Sequence, residues 1–222
     1  HSHVYGLVCG LLTPLYHGTL GIILPPTSVV SNPLIWLKLI TKYKVTHSGC
    51  PNFGYELCLQ KLEMSSSPYV DIDLRHWKVA INGGELVRPK TLEKFAQLLS
   101  PCGFNMKAFF PAYGMSESTG LIASRIIRKN PSIISISKKD LAENRMIKKS
   151  ETDDSSSVRR VVSSGNLTPA LELMIVKPGS LMPVNSNEIG EIWLRGPIVS
   201  SGYWKRKNET DKPLVFSALF IN

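Results

Sequence analysis

The chain has 222 residues, 43% hydrophobic and 19% charged, with a formal net charge of +9. That is ordinary globular material for one large domain or one and a half ordinary ones, able to bury a sizeable core. Residues 121–160 hold ten Lys/Arg against five acids and no aromatic residue, so no stacking platform accompanies the charge and a nucleic-acid partner is not expected.

The apolar opening, Val4 to Val30, is broken by Thr13, Pro14, His17, Gly18, Gly21, Pro25 and Pro26. No run approaches the roughly 18 apolar residues of a membrane span. The segment predicts a buried helix, a turn at Tyr16–Thr19 and a buried strand Leu20–Leu24. Residues 33–44 predict a helix capped by Ser31 or Asn32, with Pro33 at its first position and Trp36, Ile40 and Tyr43 on one face. A short strand Val45–Ser48 ends at Gly49. Pro51 and Asn52 open a helix to about Met64 with Tyr55, Leu59 and Leu62 on one face; Phe53 and Tyr55 are read as core. A Ser/Pro loop covers 65–70.

Trp77–Ile81 predicts a buried strand that stops at Asn82-Gly83-Gly84-Glu85. Pro89 starts a helix through Leu99, ended by Gly103. Lys107–Phe110 is the next strand, stopping at Pro111-Ala112-Tyr113-Gly114. Strands alternating with helices of this length imply βαβ units and a parallel sheet. The basic, Ser-rich stretch 125–160 is expected to be a solvated, partly flexible insertion or loop. Beyond it, Leu171–Lys177 and Gly190–Gly196 are strands with no helix between them. The expected fold is therefore α/β: a parallel-sheet βαβ subdomain over 1–124, the basic stretch, then a smaller, mainly antiparallel β subdomain over 161–222. The four cysteines, Cys9, Cys50, Cys58 and Cys102, form no CxxC pair and have no His at metal spacing. They read as reduced, mostly packed thiols of a cytoplasmic protein. Both ends look like internal cuts: residue 1 is not Met, and Leu214–Asn222 is a short apolar tail.

In open parallel sheets ligands bind beyond the carboxyl ends of the strands. Asn82–Glu85 and Tyr113–Thr119 lie at two such ends, one βα passage apart. Glycines let the backbone approach a flat ligand, Tyr113 offers a face to a base, Ser116 and Thr119 offer hydroxyls to phosphate, and Glu117 offers a carboxylate oxygen suited to Mg²⁺. A Gly-containing βα turn with Ser as helix cap is the alternative.

Phe110-Pro111-Ala112-Tyr113-Gly114-Met115-Ser116-Glu117-Ser118-Thr119 resembles the adenine- and Mg-binding motif of adenylate-forming enzymes, Tyr-Gly-x-Thr/Ala-Glu. The Thr two residues after the Glu is typical of the fatty acyl-AMP ligase branch. Other segments match in family order. His3-Val4-Tyr5-Gly6-Leu7 is similar to His-Asp-Met-Gly-Leu, Pro51-Asn52-Phe53-Gly54-Tyr55 to Pro-Asn-Phe-Ala-Tyr, and Asn82–Arg88 to Asn-Gly-Ala-Glu-Pro-Val-Arg. Val162–Gly165, Gly190–Trp193 and Gly202–Trp204 complete the series.

The resemblance implies ATP-dependent activation of a long-chain fatty acid as its acyl-adenylate, with Mg²⁺, for transfer to an acyl carrier protein or a polyketide synthase carrier domain. It implies that Gly83, Gly84 and Glu85 flank the adenine, that Tyr113 and Gly114 line it, that Ser116 and Thr119 serve phosphate and that Glu117 holds Mg²⁺. It also places His3, as a catalytic residue, near the acyl carboxylate. The branch carries an insertion absent from acyl-CoA synthetases, which is expected within 125–160. Val4 and Tyr5 depart from the family's Asp-Met, and no phosphate loop, ribose-gripping Thr-Gly-Asp or catalytic-lysine domain is matched. The 222 residues alone are expected to be inactive or nearly so. An acyl-CoA synthetase and a non-catalytic adenylate-binding remnant are the alternatives.

Overall fold

The computed structural model describes residues 3–65, 71–127, 129–150, 154–211 and 216–217. The Ser/Pro loop expected at 65–70 lies, beyond Ser65, outside the described residues, as does the apolar tail apart from 216–217.

The chain opens with helical turns α1 (Val4–Leu7), a π-helical turn Val8–Leu12, and α2 (Thr13–His17), which Gly18 ends in the left-handed region at φ 62. The turn at Tyr16–Thr19 forms as expected. The buried helix and the buried strand Leu20–Leu24 do not. Leu15, Tyr16 and Leu20 are 69%, 86% and 78% exposed, and no strand forms there. The Thr19 N–H folds back to Pro14 O at 2.9 Å, which runs residues 19–24 beside the helix instead of into a sheet. An apolar sequence is buried only where a surface meets it, and in this segment only Leu24 packs against the main core among the described residues.

Helix α3 (Pro26–Ser31) precedes α4 (Leu34–Tyr43). Neither Ser31 nor Asn32 caps α4 through its side chain; the Asn32 carbonyl takes the Ile35 N–H at 3.0 Å instead. Trp36 and Ile40 are buried as expected, but Tyr43 is exposed. Then come β1 (His47–Cys50), α5 (Asn52–Glu63), β2 (Val79–Gly83), α6 (Pro89–Leu99) and β3 (Phe109–Tyr113). β1, β2 and β3 are parallel neighbours.

All three strands run about two residues further than the sequence suggests. Gly49, Gly83 and Pro111, read as stops, lie inside them. A Cβ on Gly49 would stand 2.2 Å from Ile81 O, and one on Gly83 2.5 Å from Ala112 O, so these glycines mark close strand approach, not chain reversal. Pro111 has no N–H to give the ladder but keeps its acceptor role there: its carbonyl takes the Arg125 N–H at 3.3 Å from the antiparallel side.

β4 (Ala123–Ser124) pairs antiparallel with β3 and extends the sheet. The main core lies between α4, α5, α6 and the parallel strands. Trp36, Tyr55, Trp77, Phe95, Phe104 and Phe109 interlock there, mostly edge-to-face at 5.1–6.3 Å between centroids. Such pairs contribute about 0.5–1.5 kcal/mol each beyond burial. The wholly buried Tyr55 satisfies its hydroxyl by donating to Ile81 O at 2.7 Å. Phe53 is not core: it is 49% exposed.

The basic stretch is folded rather than loose. β5 (Ile133–Ser137), α7 (Lys138–Ala142), β6 (Lys148–Lys149) and β7 (Val158–Val162) form an antiparallel sheet in the order β6-β5-β7 with its own small core of Ile136, Met146 and Val161. Opposite residues share a face, so Ile134, Ile136 and Val161 lie on one face with Lys148 and Arg159 at its edge positions, while Ser135, Lys149 and Arg160 lie on the other with Ile133 and Val162. A polar composition hid a pattern that alternates with period two. β8 (Asn166–Leu167) then pairs with β4, completing the order β1-β2-β3-β4-β8. β9 (Glu172–Val176) and β10 (Glu191–Arg195) pair antiparallel, followed by α8 (Lys207–Thr210) and the short β11 (Phe216–Ser217) beside β10. The α/β class, a parallel sheet with antiparallel sheets after it, is as expected.

Candidate functional site

Because β1, β2 and β3 are parallel, their carboxyl ends share one rim. The register sets Gly83 opposite Ala112, so Gly84 and Tyr113 leave adjoining strand tips together. Above Gly84 the space is open: a Cβ there would meet only Pro51 Cγ at 4.0 Å. Asn82, wholly buried at the tip of β2, donates to Asn52 Oδ1 at 3.3 Å. The same oxygen takes the Arg88 N–H at 3.1 Å, and Asn52 Nδ2 reaches Glu56 and Thr91. This buried network pins the 83–88 loop between α5 and α6. Glu85 Oε1 accepts the Phe53 N–H at 2.6 Å, so its carboxylate caps the first turn of α5.

The second loop is held more tightly. Tyr113 O accepts the Ile122 N–H and Met115 O the Gly120 N–H, both at 2.9 Å. These bonds bring Gly114 so close to Gly120 that a Cβ would lie 1.4 Å from its carbonyl oxygen. Tyr113 is half-buried against the cluster of Ile122, Leu171 and Leu194, and burial pushes its phenol up. Ser116–Ser118 form one 3-10 turn, and Thr119 sits in the left-handed region at φ 60, an uncommon and costly place for a β-branched residue. Ser116 is exposed, with no side-chain bond among the described residues. The Thr119 hydroxyl is engaged within the protein: it donates to Ile198 O at 2.9 Å. Glu117 Oε1 accepts the Tyr203 hydroxyl at 2.6 Å, and Glu117 O the Ser200 N–H at 2.7 Å.

His3 starts α1, its Nδ1 accepting the Tyr5 N–H at 3.1 Å. Val4 Cγ2 is 3.3 Å from where a Gly120 Cβ would be, so α1 lies against the Tyr113–Gly120 loop. Burial raises the Tyr5 phenol strongly, with the Cys9 and Cys50 thiols adding to it. The rim thus gathers Gly83, Gly84, Glu85, Tyr113, Gly114, Ser116 and Glu117 with the start of α1. Thr119 serves the loop's anchorage.

Among the described residues no three His, Cys, Asp or Glu are grouped to hold a metal. One carboxylate and one exposed hydroxyl fit a hard cation that takes most of its ligands from water and phosphate, and do not fit a zinc or calcium cage. No helix of the described residues is long and apolar enough to cross a membrane. Sequence reading missed Tyr203, 86 residues from Glu117, and Asn52 as the tie between loops. Gly202-Tyr203-Trp204 was a matched segment, but nothing in its spacing points at Glu117.

Residues 1–204 match the family of AMP-binding enzymes. The chain is 37% identical over 212 residues to a medium-chain-fatty-acid–[acyl-carrier-protein] ligase, JamA, of Moorena producens, covering 96% of this chain and 36% of that protein. It is 36% identical over 203 residues to the like-named TtuA of Teredinibacter turnerae, covering 91% and 31%. The crystal structure of a fatty acyl-adenylate ligase from L. pneumophila, in complex with acyl adenylate and pyrophosphate, superposes with a TM-score of 0.86 at 36% identity over 94% of this chain and 36% of that one. The chain spans about a third of the length of these curated relatives.

Proposed function

Since the chain belongs to the family of AMP-binding enzymes, we propose that the whole protein uses ATP to activate a medium- or long-chain fatty acid as its acyl-adenylate, for transfer to an acyl carrier protein. One observation carries the reading: the β2–β3 register that sets the glycine-lined tip at Gly84 beside Tyr113, with Glu117 four residues further on. The names of the similar ligases support the fatty-acid substrate and the carrier.

In this reading the backbone of Gly83, Gly84 and Glu85 lies along one side of the adenine and the Tyr113 ring along the other. The Gly114 backbone continues the lining of the adenine, and the Ser116 hydroxyl donates to a phosphate. Glu117 holds Mg²⁺, which when bound offsets phosphate charge as a Lewis acid. The fatty-acid carboxylate attacks the α-phosphorus, and pyrophosphate leaves. His3 stands at the carboxylate end, on the side of the rim covered by α1. The folded sheet of β5, β6 and β7, which takes up most of 125–160, is the insertion of the fatty acyl-AMP ligase branch.

The test is fatty-acid-dependent pyrophosphate release by the protein at its full natural length, with the acyl product identified. Acyl-adenylate that loads a carrier protein and yields no acyl-CoA is the expected result. Robust acyl-CoA formation would move the protein to the acyl-CoA synthetase branch. No nucleotide binding would support a non-catalytic remnant. The 222 residues alone, with no match to the family's phosphate loop or catalytic-lysine segment, are expected to release little or no pyrophosphate.

A further inference from the structure

We propose that Tyr203 is a positioning residue for Glu117: its hydroxyl occupies one carboxylate oxygen and aims the other at the cation. The inference rests on the reading of Glu117 as the Mg²⁺ ligand.

Three bonds join the Ser116–Thr119 turn to the segment 198–203: Thr119 Oγ1 to Ile198 O at 2.9 Å, Ser200 N to Glu117 O at 2.7 Å, and Tyr203 Oη to Glu117 Oε1 at 2.6 Å. Two of them fix backbone and would suffice to anchor the loop. The third is different in kind. It is a charge-assisted O–H···O⁻ bond at the short end of the range, made by the side chain that carries the negative charge. A glutamate side chain has three rotatable bonds, and a lone carboxylate ligand on a flexible stem costs ordering entropy each time it binds. The Tyr203 bond removes that freedom in advance. Glu117 Oε2 takes no bond among the described residues, which leaves that oxygen for the cation. Tyr203 is itself held: its N–H donates to Thr210 Oγ1 at 2.9 Å, and the Thr210 hydroxyl reaches Arg206 O at 2.8 Å. The segment after β10 therefore acts on the first loop's acid through one phenol.

The test uses the protein at its full natural length, a non-hydrolysable ATP analogue, and Mn²⁺ read by electron paramagnetic resonance. Tyr203→Phe keeps the ring and the backbone bonds. It is expected to weaken Mn²⁺ binding in the presence of the analogue about ten- to a hundredfold, the usual effect of losing an outer partner of a ligand, while affinity for the metal-free analogue stays unchanged. Unchanged Mn²⁺ affinity, or an equal loss of metal-free analogue binding, overturns the proposal, the latter because it marks a merely structural contact. Glu117→Gln separates the two levels. If it removes the metal dependence and Tyr203→Phe does not alter it, the positioning role fails and the adenylation reading stands. If Glu117→Gln leaves the metal dependence intact, Glu117 is not the ligand and both fall.

Discussion

Glu85 Oε1 accepts the Phe53 N–H at 2.6 Å, so the acid that closes Asn82-Gly83-Gly84-Glu85 caps a helix 32 residues earlier in the chain. Asn52 and Phe53 stand in the first turn of α5, where N–H groups lack helical partners and a negative charge is favourable. Glu85→Ala should cost about 0.5–1 kcal/mol of stability, the usual value of a cap. Urea unfolding would measure it. Affinity for an acyl-adenylate mimic should change little, because the carboxylate is engaged by the Phe53 N–H; a loss above tenfold would show that the side chain touches the ligand.

The two glycines of the site make opposite demands. A Cβ at Gly114 would overlap the Gly120 carbonyl at 1.4 Å, whereas at Gly84, with φ +82, it meets nothing nearer than 4.0 Å. Gly114→Ala must move backbone, and a loss of about 3 kcal/mol or more follows. Gly84→Ala adds only left-handed strain, about 1–2 kcal/mol. Thermal melts of the two variants should fall in that order. Equal losses would mean that the Gly114–Gly120 approach relaxes.

The rim was legible in the sequence because it depends on local rules. Alternating strands and helices imply parallel neighbours, and parallel neighbours put successive carboxyl ends on one side. Strand ends were misread where Gly49, Gly83 and Pro111 looked like punctuation, since a glycine needed for close strand approach is indistinguishable in sequence from one needed for a turn. The sheet at 133–162 was hidden by its charge. Ile134, Ile136 and Val161 alternate, but Ser, Lys and Arg between them match a solvated loop as well. The Tyr203–Glu117 bond is a contact between distant elements, and no pattern within either segment encodes it.

Tyr113 stands half in the apolar cluster of Ile122 and Leu171, at the strand tip that adjoins Gly84. Base–aromatic stacking is worth about 1–3 kcal/mol by alanine substitution. Tyr113→Ala should therefore weaken binding of an adenylate mimic about ten- to a hundredfold, and Tyr113→Phe should retain most of it. Calorimetry on both variants checks this. A Phe variant as weak as the Ala variant would show that the hydroxyl, not the ring face, makes the contact.

The β6-β5-β7 sheet is fastened to α6 by Arg160, whose Nη1 and Nη2 meet Glu93 Oε2 and Oε1 at 3.1 and 2.5 Å. Both side chains are nearly half exposed, so solvent screens the pair and its worth is within about 1 kcal/mol. Arg160→Ala should leave the global unfolding midpoint almost unchanged yet raise hydrogen exchange in β5 and β7, because the apolar contacts beneath that sheet are few. Added salt should reproduce the effect in the unaltered protein. A large fall in global stability would mean that the sheet belongs to the main folding unit.

Hydrogen bonds from the Arg75 side chain and backbone hold the Asp73 carboxyl well below the usual carboxylate range. A carboxyl whose folded value is depressed contributes its stability above its unfolded value, about 3.9, and loses it as pH falls through the folded one. The Asp73 N–H also bonds Thr41 Oγ1 at 3.0 Å, so this turn ties α4 to the approach of β2. Arg75→Gln should lower stability at neutral pH by an amount that stays constant down to about pH 5 and shrinks toward zero in stronger acid, where Asp73 is protonated in both proteins. Both sites are exposed, so the gap is small and needs paired urea titrations at each pH. A gap that persists or widens as the pH falls would assign the loss to packing of the Arg75 stem and not to its charge.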